Sequence, residues 1–246
     1  MGITIAAILW LYDKRMRWCE LARVPYTFDC MIERPQSPSL KADAEDILTS
    51  LARPELPQTE IRLVMMAGLP GSGKSTVARR LAPEIDAVII ESDAARATLA
   101  ATPSHNWAEN RRVWGAVYEA ARRLLNDGIS VIIDGTNLTE ADRRHAYELA
   151  DSHKARLVLI GVTANEAVIS ARLAQREKEE QSRGGAKDWY DLYRRMRSHQ
   201  EPIQREHLSI DTSNAAESEV AFRRVVAASR PAETAMAAAP RGGRRP

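Results

Sequence analysis

Residues 68–76 form the glycine-rich stretch GLPGSGKST, which narrows the choice of fold more than any other segment of the chain. The apolar run before it, residues 61–67, has the pattern of a strand buried in a parallel sheet. Residues 74–81 follow with helical periodicity, and Pro83 ends that helix. A strand, a glycine-rich turn and a helix in this order predict that residues 68–76 bind the phosphates of a nucleotide, and we name them the phosphate loop.

Each residue type in the phosphate loop has a chemical role. Glycines let backbone N–H groups converge on phosphate oxygens, where side chains would block the approach or forbid the required dihedral angles. The helix that begins in the loop directs its positive end at the same phosphates. We expect Lys74 to reach the β- and γ-phosphates, Ser75 to bind Mg²⁺, and Thr76 to add a donor to the α-phosphate. The residues predicted to bind ATP are Gly68, Gly71, Ser72, Gly73, Lys74, Ser75 and Thr76.

Strand-like and helix-like segments alternate through the remainder of the chain. Apolar runs predict strands at residues 87–91, 129–133, 157–162 and 208–210, and helical patterns lie at 107–124, 139–152, 165–180, 188–199 and 215–228. This alternation predicts an α/β fold of the P-loop NTPase type, with three layers (αβα) and a mostly parallel sheet. An arginine-bearing helical lid is expected at about residues 165–200, with Gly184-Gly185 as its hinge.

The predicted P-loop domain occupies residues 61–228. Residues 1–60 are predicted to form an N-terminal extension and a proline-rich linker, with one short helix at about 41–51. The apolar start of the chain, residues 1–12, is shorter than the ~20 residues that span a bilayer, so no stable membrane association is expected. Translation that begins at Met31 or later is a second hypothesis for this region. A C-terminal tail, residues 229–246, has no apolar period and is predicted to be disordered.

Composition guides two further expectations. The 35 Lys and Arg residues against 33 Asp and Glu leave a formal charge of +2, so net charge gives no reason to expect nucleic-acid binding. The two cysteines, Cys19 and Cys30, form no metal-ligand cluster, and a disulfide scaffold is disfavoured. A cytoplasmic location fits this cysteine usage.

Two charged residues follow the second predicted strand, at the edge where ligands bind in parallel α/β sheets. Asp93, in the segment Ser-Asp-Ala-Ala-Arg at 92–96, can accept the proton of an attacking hydroxyl. Arg96, one helical turn later, can hold a substrate phosphate or carboxylate. An N-cap role for Asp93 at the next helix accounts for its position equally well.

The third predicted strand ends in Asp134, as Walker B strands do, in which the acid holds Mg²⁺. Thr136 and Asn137, just beyond it, are expected to orient the acceptor or the loop. Arg172 and Arg176 lie four residues apart on a predicted helix and share a face. We expect Arg176 to stabilise charge on the moving phosphoryl group, and Arg172 to be the second choice for a substrate contact. Interleaved glutamates leave open that this is a solvated helix.

In this order, the motifs GLPGSGKST, SDxxR, VIIDGTN and RxxxR resemble the kinase domain of phage-type 5′-hydroxyl polynucleotide kinases and their P-loop relatives. The resemblance covers about residues 61–202. It implies that Asp93 is the general base, that Arg96 contacts the acceptor's phosphate, and that Arg176 stabilises the transferring phosphate. The phage enzymes carry an acid one residue after the position of Asp134, where this chain has a glycine, Gly135. The same motif order occurs in zeta-type toxins and antibiotic-modifying kinases, which phosphorylate small molecules.

The leading hypothesis is a kinase that uses ATP and Mg²⁺ and transfers the γ-phosphoryl group to a hydroxyl. A polynucleotide 5′ end or a nucleotide-like molecule is the first expected acceptor, and Lys74, Asp93 and Arg176 are the expected catalytic residues. A small-molecule kinase is the alternative among enzymes. An ATP-dependent binding switch without an acceptor is the alternative of another class, although a switch needs neither the SDxxR segment nor the arginine pair.

Overall fold

The structure is a computed structural model that describes residues 38–54, 58, 60–101, 103, 106–182 and 188–230. Within these residues the strands are β1 (Arg62–Ala67), β2 (Val88–Glu91), β3 (Val131–Asp134), β4 (Arg156–Thr163) and β5 (Leu208–Asp211). The helices are α1 (Pro38–Thr49), α2 (Lys74–Leu81), α3 (Ser92–Leu99), α4 (Trp107–Asn126), α5 (Glu140–His153), α6 (Glu166–Gln181), α7 (Trp189–Arg197) and α8 (Ala215–Ser229).

The strands form one parallel sheet in the order β2-β3-β1-β4-β5, so that β1 lies at its centre. Met65 in β1 lies opposite Ile133 in β3 and Leu159 in β4. Every residue of β1 is buried, as expected for a strand covered on both faces. The carboxyl ends of β1, β2 and β3 therefore meet at one edge, and the phosphate loop leaves the sheet there.

Helices cover both faces of the sheet. On one face, Leu81 of α2 and Phe222 of α8 pack with Val64, Ile132 and Ile160 in the larger apolar cluster. On the other face, α4 contacts β3, and α5 contacts β1 and β4. This arrangement gives the three αβα layers that the sequence predicts. No helix in the described part of the chain is long and apolar enough to cross a membrane.

Helix α1 packs along α4. Ile47 is buried, and Arg112 of α4 donates from Nε and Nη2 to the two carboxylate oxygens of Asp43, at 2.8 and 2.6 Å. Two parallel bonds of this kind are the strong form of an arginine–carboxylate contact. The short helix predicted at 41–51 is thus present, begins earlier at Pro38, and lies against the helix that covers β3.

The predicted α/β fold with a parallel sheet is confirmed, and most element boundaries differ from the predicted ones by one or two residues. Helix α5 begins with a capping box: the Thr139 hydroxyl accepts from the Asp142 N–H, and the Asp142 carboxylate accepts from the Thr139 N–H. Gly128 has φ of 76° just after α4, a conformation that suits glycine at the C-terminal end of a helix. The apolar pattern does not predict α3, which is only eight residues long.

Several sequence predictions fall outside the described residues. These are the extension before residue 38, the proposed hinge at Gly184-Gly185 and the tail from residue 231 onward. The final helix, α8, continues through Ser229, which is fully buried, so the expected start of the tail at 229 lies inside that helix.

Candidate nucleotide-binding and phosphoryl-transfer site

Glycines give the phosphate loop its shape. Gly68, Gly71 and Gly73 have φ of 147°, 78° and 94°, a region that glycine adopts without the strain that other residues suffer. A Cβ at Gly68 would lie 2.2 Å from the Val162 carbonyl oxygen, because the loop begins against the end of β4. The Gly68 N–H donates to the Thr136 carbonyl at 2.9 Å, which joins the loop to the segment after β3. A larger residue at Gly68 would therefore clash with β4 and disturb the hydrogen bond to Thr136.

Arg172 on α6 and Thr212, just after β5, hold the loop from outside. The Arg172 guanidinium donates to the Gly71 carbonyl at 3.1 Å, to the Thr212 hydroxyl at 2.8 Å and to the Thr212 carbonyl at 3.0 Å. The Thr212 hydroxyl in turn donates to the Ser72 carbonyl at 2.7 Å. Arg172, for which a substrate contact is predicted, here fixes the loop to α6. The sequence does not predict the role of Thr212, because a single threonine after a short strand matches no motif.

The interior of the loop contains a polar group suited to a phosphate. The Ser72 side chain is 1% exposed, and its hydroxyl has no hydrogen-bond partner among the described residues. Leaving such a group unpaired costs about 1–3 kcal/mol. Thr76 lies exposed in the first turn of α2, whose N-terminus faces the same space. The cradle formed by the glycines, together with this unpaired hydroxyl, fits an anionic ligand.

Lys74 opens α2, and its ammonium group is buried beneath the loop. Its Nζ donates to the Leu69 carbonyl at 2.9 Å. Burial lowers the pKa of Lys74 to about 8, although the negative charges of Asp134 and Asp93 act to raise it, and the Arg176 guanidinium lowers it further. The surrounding carboxylates therefore offset only part of the cost of burying the positive charge of Lys74. The negative charge of a phosphate would offset the remainder.

Asp134 ends β3 beside the start of α2. Burial raises the pKa of its carboxyl, whereas a hydrogen bond from Ser75 and the charge of Lys74 act in the opposite direction. Ser75 and Asp134 therefore meet, as the sequence predicts, and their oxygens suit Mg²⁺. No group of three or more His, Cys, Asp or Glu among the described residues is arranged to hold a metal ion. A magnesium ion here would therefore also need phosphate oxygens of the nucleotide as ligands.

Glu91 is an acid of this site that the sequence prediction omits. It lies opposite Asp134 in the β2–β3 register, and its charge helps to raise the pKa of Asp134. Its carboxylate accepts from Arg79 at 3.0 Å. The available signal was its place at the carboxyl end of the strand that pairs with β3, but strand pairing cannot be read from residue spacing.

Asp93 and Arg176 meet above the loop. Asp93 lies in the first turn of α3, and Glu91 occupies the N-cap position without any side-chain cap bond, so the N-cap alternative for Asp93 is wrong. The Arg176 Nη2 donates to Asp93 Oδ2 at 3.1 Å, with side chains 43% and 61% exposed. An ion pair this exposed contributes about 0–1 kcal/mol. It can therefore separate when a substrate competes for either partner.

Arg96 is buried against α4. Its Nη1 donates to Glu109, and its Nη2 donates to Asn110 Oδ1 at 2.7 Å. Its Nε is buried without a hydrogen-bond partner among the described residues. Both ends of the guanidinium fork that a substrate phosphate would use are thus bonded to α4. Arg96 joins α3 to α4 in this structure, which differs from the open substrate contact that the sequence predicts.

Asn137 supports the sheet edge from beneath. Its side chain is 2% exposed, its φ is 44°, and its Nδ2 donates to the Met66 carbonyl at 2.6 Å. The carbonyl of the neighbouring Thr136 accepts from the Gly68 N–H. The sequence predicts that Thr136 and Asn137 orient either the acceptor or the loop. The hydrogen bonds to Gly68 and Met66 support the phosphate loop.

Gly135 has a steric reason to lack a side chain. A Cβ at this position would lie 2.4 Å from the Cη2 atom of Trp114, which extends from α4. Trp114 also packs against Tyr118, with ring centroids 6.0 Å apart. The space that an acid would need after Asp134 is therefore filled by an indole ring.

The described residues thus combine a glycine-rich loop, a buried lysine, a serine–aspartate pair and an exposed carboxylate at one edge of a parallel sheet. The residues that converge there are Ser72, Lys74, Ser75, Glu91, Asp93, Asp134 and Arg176. A loop, helix and sheet of this kind define a P-loop NTPase fold.

Within that class, the chain belongs to the AAA domain family, whose model matches residues 63–202, more than half of the sequence. An uncharacterized protein of Mycobacterium tuberculosis is 32% identical in an alignment 161 residues long, which covers 60% of this chain and 32% of that protein. An uncharacterized protein of Mycobacterium bovis matches to the same extent. The chain therefore spans about a third of the length of the curated relatives it matches.

Solved structures share the fold at low sequence identity. APE1195 superimposes with a TM-score of 0.56 at 22% identity, over 70% of this chain and 99% of its own. A proposed kinase from Chloroflexus aurantiacus gives 0.56 at 19% identity, over 68% and 97%. A structure from the PezAT toxin–antitoxin system of Streptococcus pneumoniae gives 0.52 at 18% identity, over 65% and 70%. These likenesses establish the fold, while the narrower resemblance to phage-type polynucleotide kinases stays a prediction.

Proposed function

We propose that this protein binds ATP at the phosphate loop and transfers the γ-phosphoryl group to a hydroxyl of an acceptor. The observation that carries the proposal is the convergence of Lys74, Asp93 and Arg176, whose charges act on one another at the mouth of the loop. A protein that only binds a nucleotide needs the loop, but it needs neither an exposed carboxylate nor a lid arginine opposite it. The description of the Chloroflexus aurantiacus structure as a proposed kinase agrees with this function.

The residues divide the work of the reaction. Lys74 and Arg176 stabilise negative charge on the transferring phosphoryl group, and the loop amides hold the phosphates in line with the acceptor. The Asp93 carboxylate accepts the proton of the acceptor hydroxyl while that oxygen bonds to the γ-phosphorus and the bond to the ADP oxygen breaks. When Mg²⁺ is bound, with Ser75 and Asp134 as its protein contacts, it supplies further charge neutralisation to the phosphates.

A polynucleotide 5′-hydroxyl or a nucleotide-like molecule is the first acceptor we propose, on the strength of the motif order. The bonds of Arg96 to Glu109 and Asn110 favour a second candidate, a small-molecule acceptor. With both ends of its fork engaged, Arg96 has to leave two partners before it can bind an acceptor phosphate. A hydroxyl compound without a phosphate makes no such demand. A cytoplasmic location, expected from the cysteine usage, remains part of this proposal.

The test is an acceptor screen with ATP labelled at the γ-phosphate. The panel contains a 5′-hydroxyl oligonucleotide, nucleosides, sugars and aminoglycosides, and the product is the labelled acceptor. Transfer to any hydroxyl supports the kinase, and the best acceptor identifies the class. MgATP binding without any labelled acceptor, combined with nucleotide-dependent capture of a protein partner, would replace the kinase by a binding switch.

Asp93→Asn is the matched variant for the base role. We expect loss of transfer by at least about a hundredfold, because general base catalysis contributes ~10²–10⁴. MgATP binding should stay within about threefold of the unmodified protein, since Asp93 is exposed and its side chain pairs with Arg176, itself partly exposed. Asp151→Asn, at an exposed position near the end of α5, is the control and should change neither quantity. Retained transfer in Asp93→Asn would remove this carboxylate from the base role.

A further inference from the structure

Arg176, the predicted lid arginine, has two contacts besides the one with Asp93. The Cζ of Arg176 lies 3.6 Å from the centroid of the Trp189 ring, a stacking distance for a guanidinium on an indole. Its Nε lies 3.6 Å from Glu180 Oε1, one helical turn along α6. The guanidinium is therefore held between an aromatic face, a carboxylate of its own helix and the proposed catalytic base.

Trp189 is itself fixed by hydrogen bonds to α6. Its indole Nε1 donates to Glu180 Oε2 at 2.8 Å, and its backbone N–H donates to Glu177 Oε1 at 2.7 Å. The side chain is only 4% exposed, although it stands at the first residue of α7. The same glutamate, Glu180, thus contacts both the indole and the arginine and sets the distance between them.

The indole also belongs to the apolar cluster beneath the lid. That cluster contains Leu69, Leu138, Ile169, Leu173, Trp189 and Tyr193. Leu69 lies within the phosphate loop, and its carbonyl accepts the bond from Lys74. The packed side chains of this cluster therefore fix the position of the Trp189 ring relative to the phosphate loop.

A long arginine side chain on a helix surface samples many rotamers, and only a few direct its guanidinium over the phosphate loop. A planar aromatic face restricts that sampling without adding negative charge, and the contacts of Arg176 with Asp93 and Glu180 are partly exposed ion pairs, which are weak. A stacked arginine therefore keeps its attraction for a phosphoryl group and loses less freedom on binding it.

We propose that Trp189 is a positioning residue for the lid arginine: its ring, with Glu180, holds Arg176 over the phosphate loop for contact with the transferring phosphoryl group. The inference rests on the proposed kinase function. Trp189 touches neither nucleotide nor acceptor in this account and acts only through Arg176.

The test compares Trp189→Leu with Trp189→Phe, which keeps an aromatic face, and with Tyr193→Leu, a matched change in the same apolar cluster. We expect Trp189→Leu to lower kcat about five- to tenfold, the effect of losing a partly desolvated cation–π contact, with the Kd for MgATP changed less than about twofold. Trp189→Phe should recover most of kcat. Tyr193→Leu should lower the melting temperature as much as Trp189→Leu does, and should leave kcat unchanged.

A double-variant cycle separates positioning from packing. In an Arg176→Ala background, Trp189→Leu should cause no further loss of kcat, because the contact is already gone. Where Trp189→Leu does not fold, Glu180→Ala alters the same enclosure from the partly exposed side of α6, and its loss of kcat should likewise disappear in the Arg176→Ala background.

The inference is overturned if the unmodified protein transfers phosphate and Trp189→Leu does so at the same rate, or if the loss persists undiminished beside Arg176→Ala. A protein that transfers no phosphoryl group to any acceptor in the screen refutes the proposed kinase instead. The two failures are distinguishable, since the first requires an active unmodified protein.

Discussion

The buried lysine predicts that nucleotide binding is accompanied by proton uptake. Lys74 has a pKa lowered to about 8 by burial. At pH 8.5 roughly three quarters of the Lys74 side chains are therefore uncharged, and at pH 7 only about a tenth are. The phosphates of ATP add negative charge next to Nζ and raise this pKa again, so binding should draw a proton from solution.

The expected magnitude follows directly. MgATP binding should take up about 0.75 proton per site at pH 8.5 and about 0.1 at pH 7, if the phosphates return Lys74 to its fully charged form. Isothermal titration calorimetry in two buffers of different ionisation enthalpy measures this number from the difference in heat. Lys74→Arg is the control, because its guanidinium stays protonated throughout and should show no uptake at pH 8.5.

The same shift affects stability without nucleotide. Between pH ~8 and ~10.5 the unfolded chain binds the Lys74 proton more tightly than the folded one, so this residue makes the free energy of unfolding rise with pH across that window. Equal proton uptake at pH 7 and 8.5, or uptake that persists in Lys74→Arg, would refute the assignment of a buried, depressed lysine next to the phosphates.

Two glycine substitutions test the steric account of the sheet edge. Gly68→Ala should lower the melting temperature by several degrees and abolish MgATP binding, since its Cβ would lie 2.2 Å from the Val162 carbonyl; Gly115→Ala, which meets only a flexible side chain at 3.2 Å, should do neither. Gly135→Ala should destabilise the fold by about 1–3 kcal/mol in urea denaturation, because its Cβ would lie 2.4 Å from the Trp114 ring. A second change, Trp114→Ala, should relieve that clash, so a fully additive double variant would contradict the explanation.

Local patterns in the sequence predict most of the fold. Strand and helix periodicities are local properties of the sequence. The capping box that begins α5 is local as well, because Thr139 and Asp142, which bond reciprocally, are three residues apart. The convergence of Lys74, Ser75 and Asp134 is also predictable, because the carboxyl ends of parallel strands lie at one edge. These features can be predicted without knowing which distant residues pack together.

The partners of charged side chains are set by tertiary packing, and the sequence does not reveal them. Arg96 bonds to Glu109 and Asn110 because α3 and α4 pack together, a contact that residue spacing does not encode. Arg172 donates to the Gly71 carbonyl, and this contact between α6 and the phosphate loop is likewise set by tertiary packing. The glycine at 135 is explained only by Trp114, some twenty residues earlier in the chain.

Equilibrium binding of MgATP measures directly whether the phosphate loop holds a nucleoside triphosphate. We expect the unmodified protein to bind MgATP, and Lys74→Ala to bind it about ten- to a hundredfold more weakly, as the loss of charged hydrogen bonds requires. Lys41→Ala, at an exposed position on α1, should retain the full affinity. A protein that does not bind MgATP, or one that keeps its full affinity after Lys74→Ala, would contradict the account of the phosphate loop.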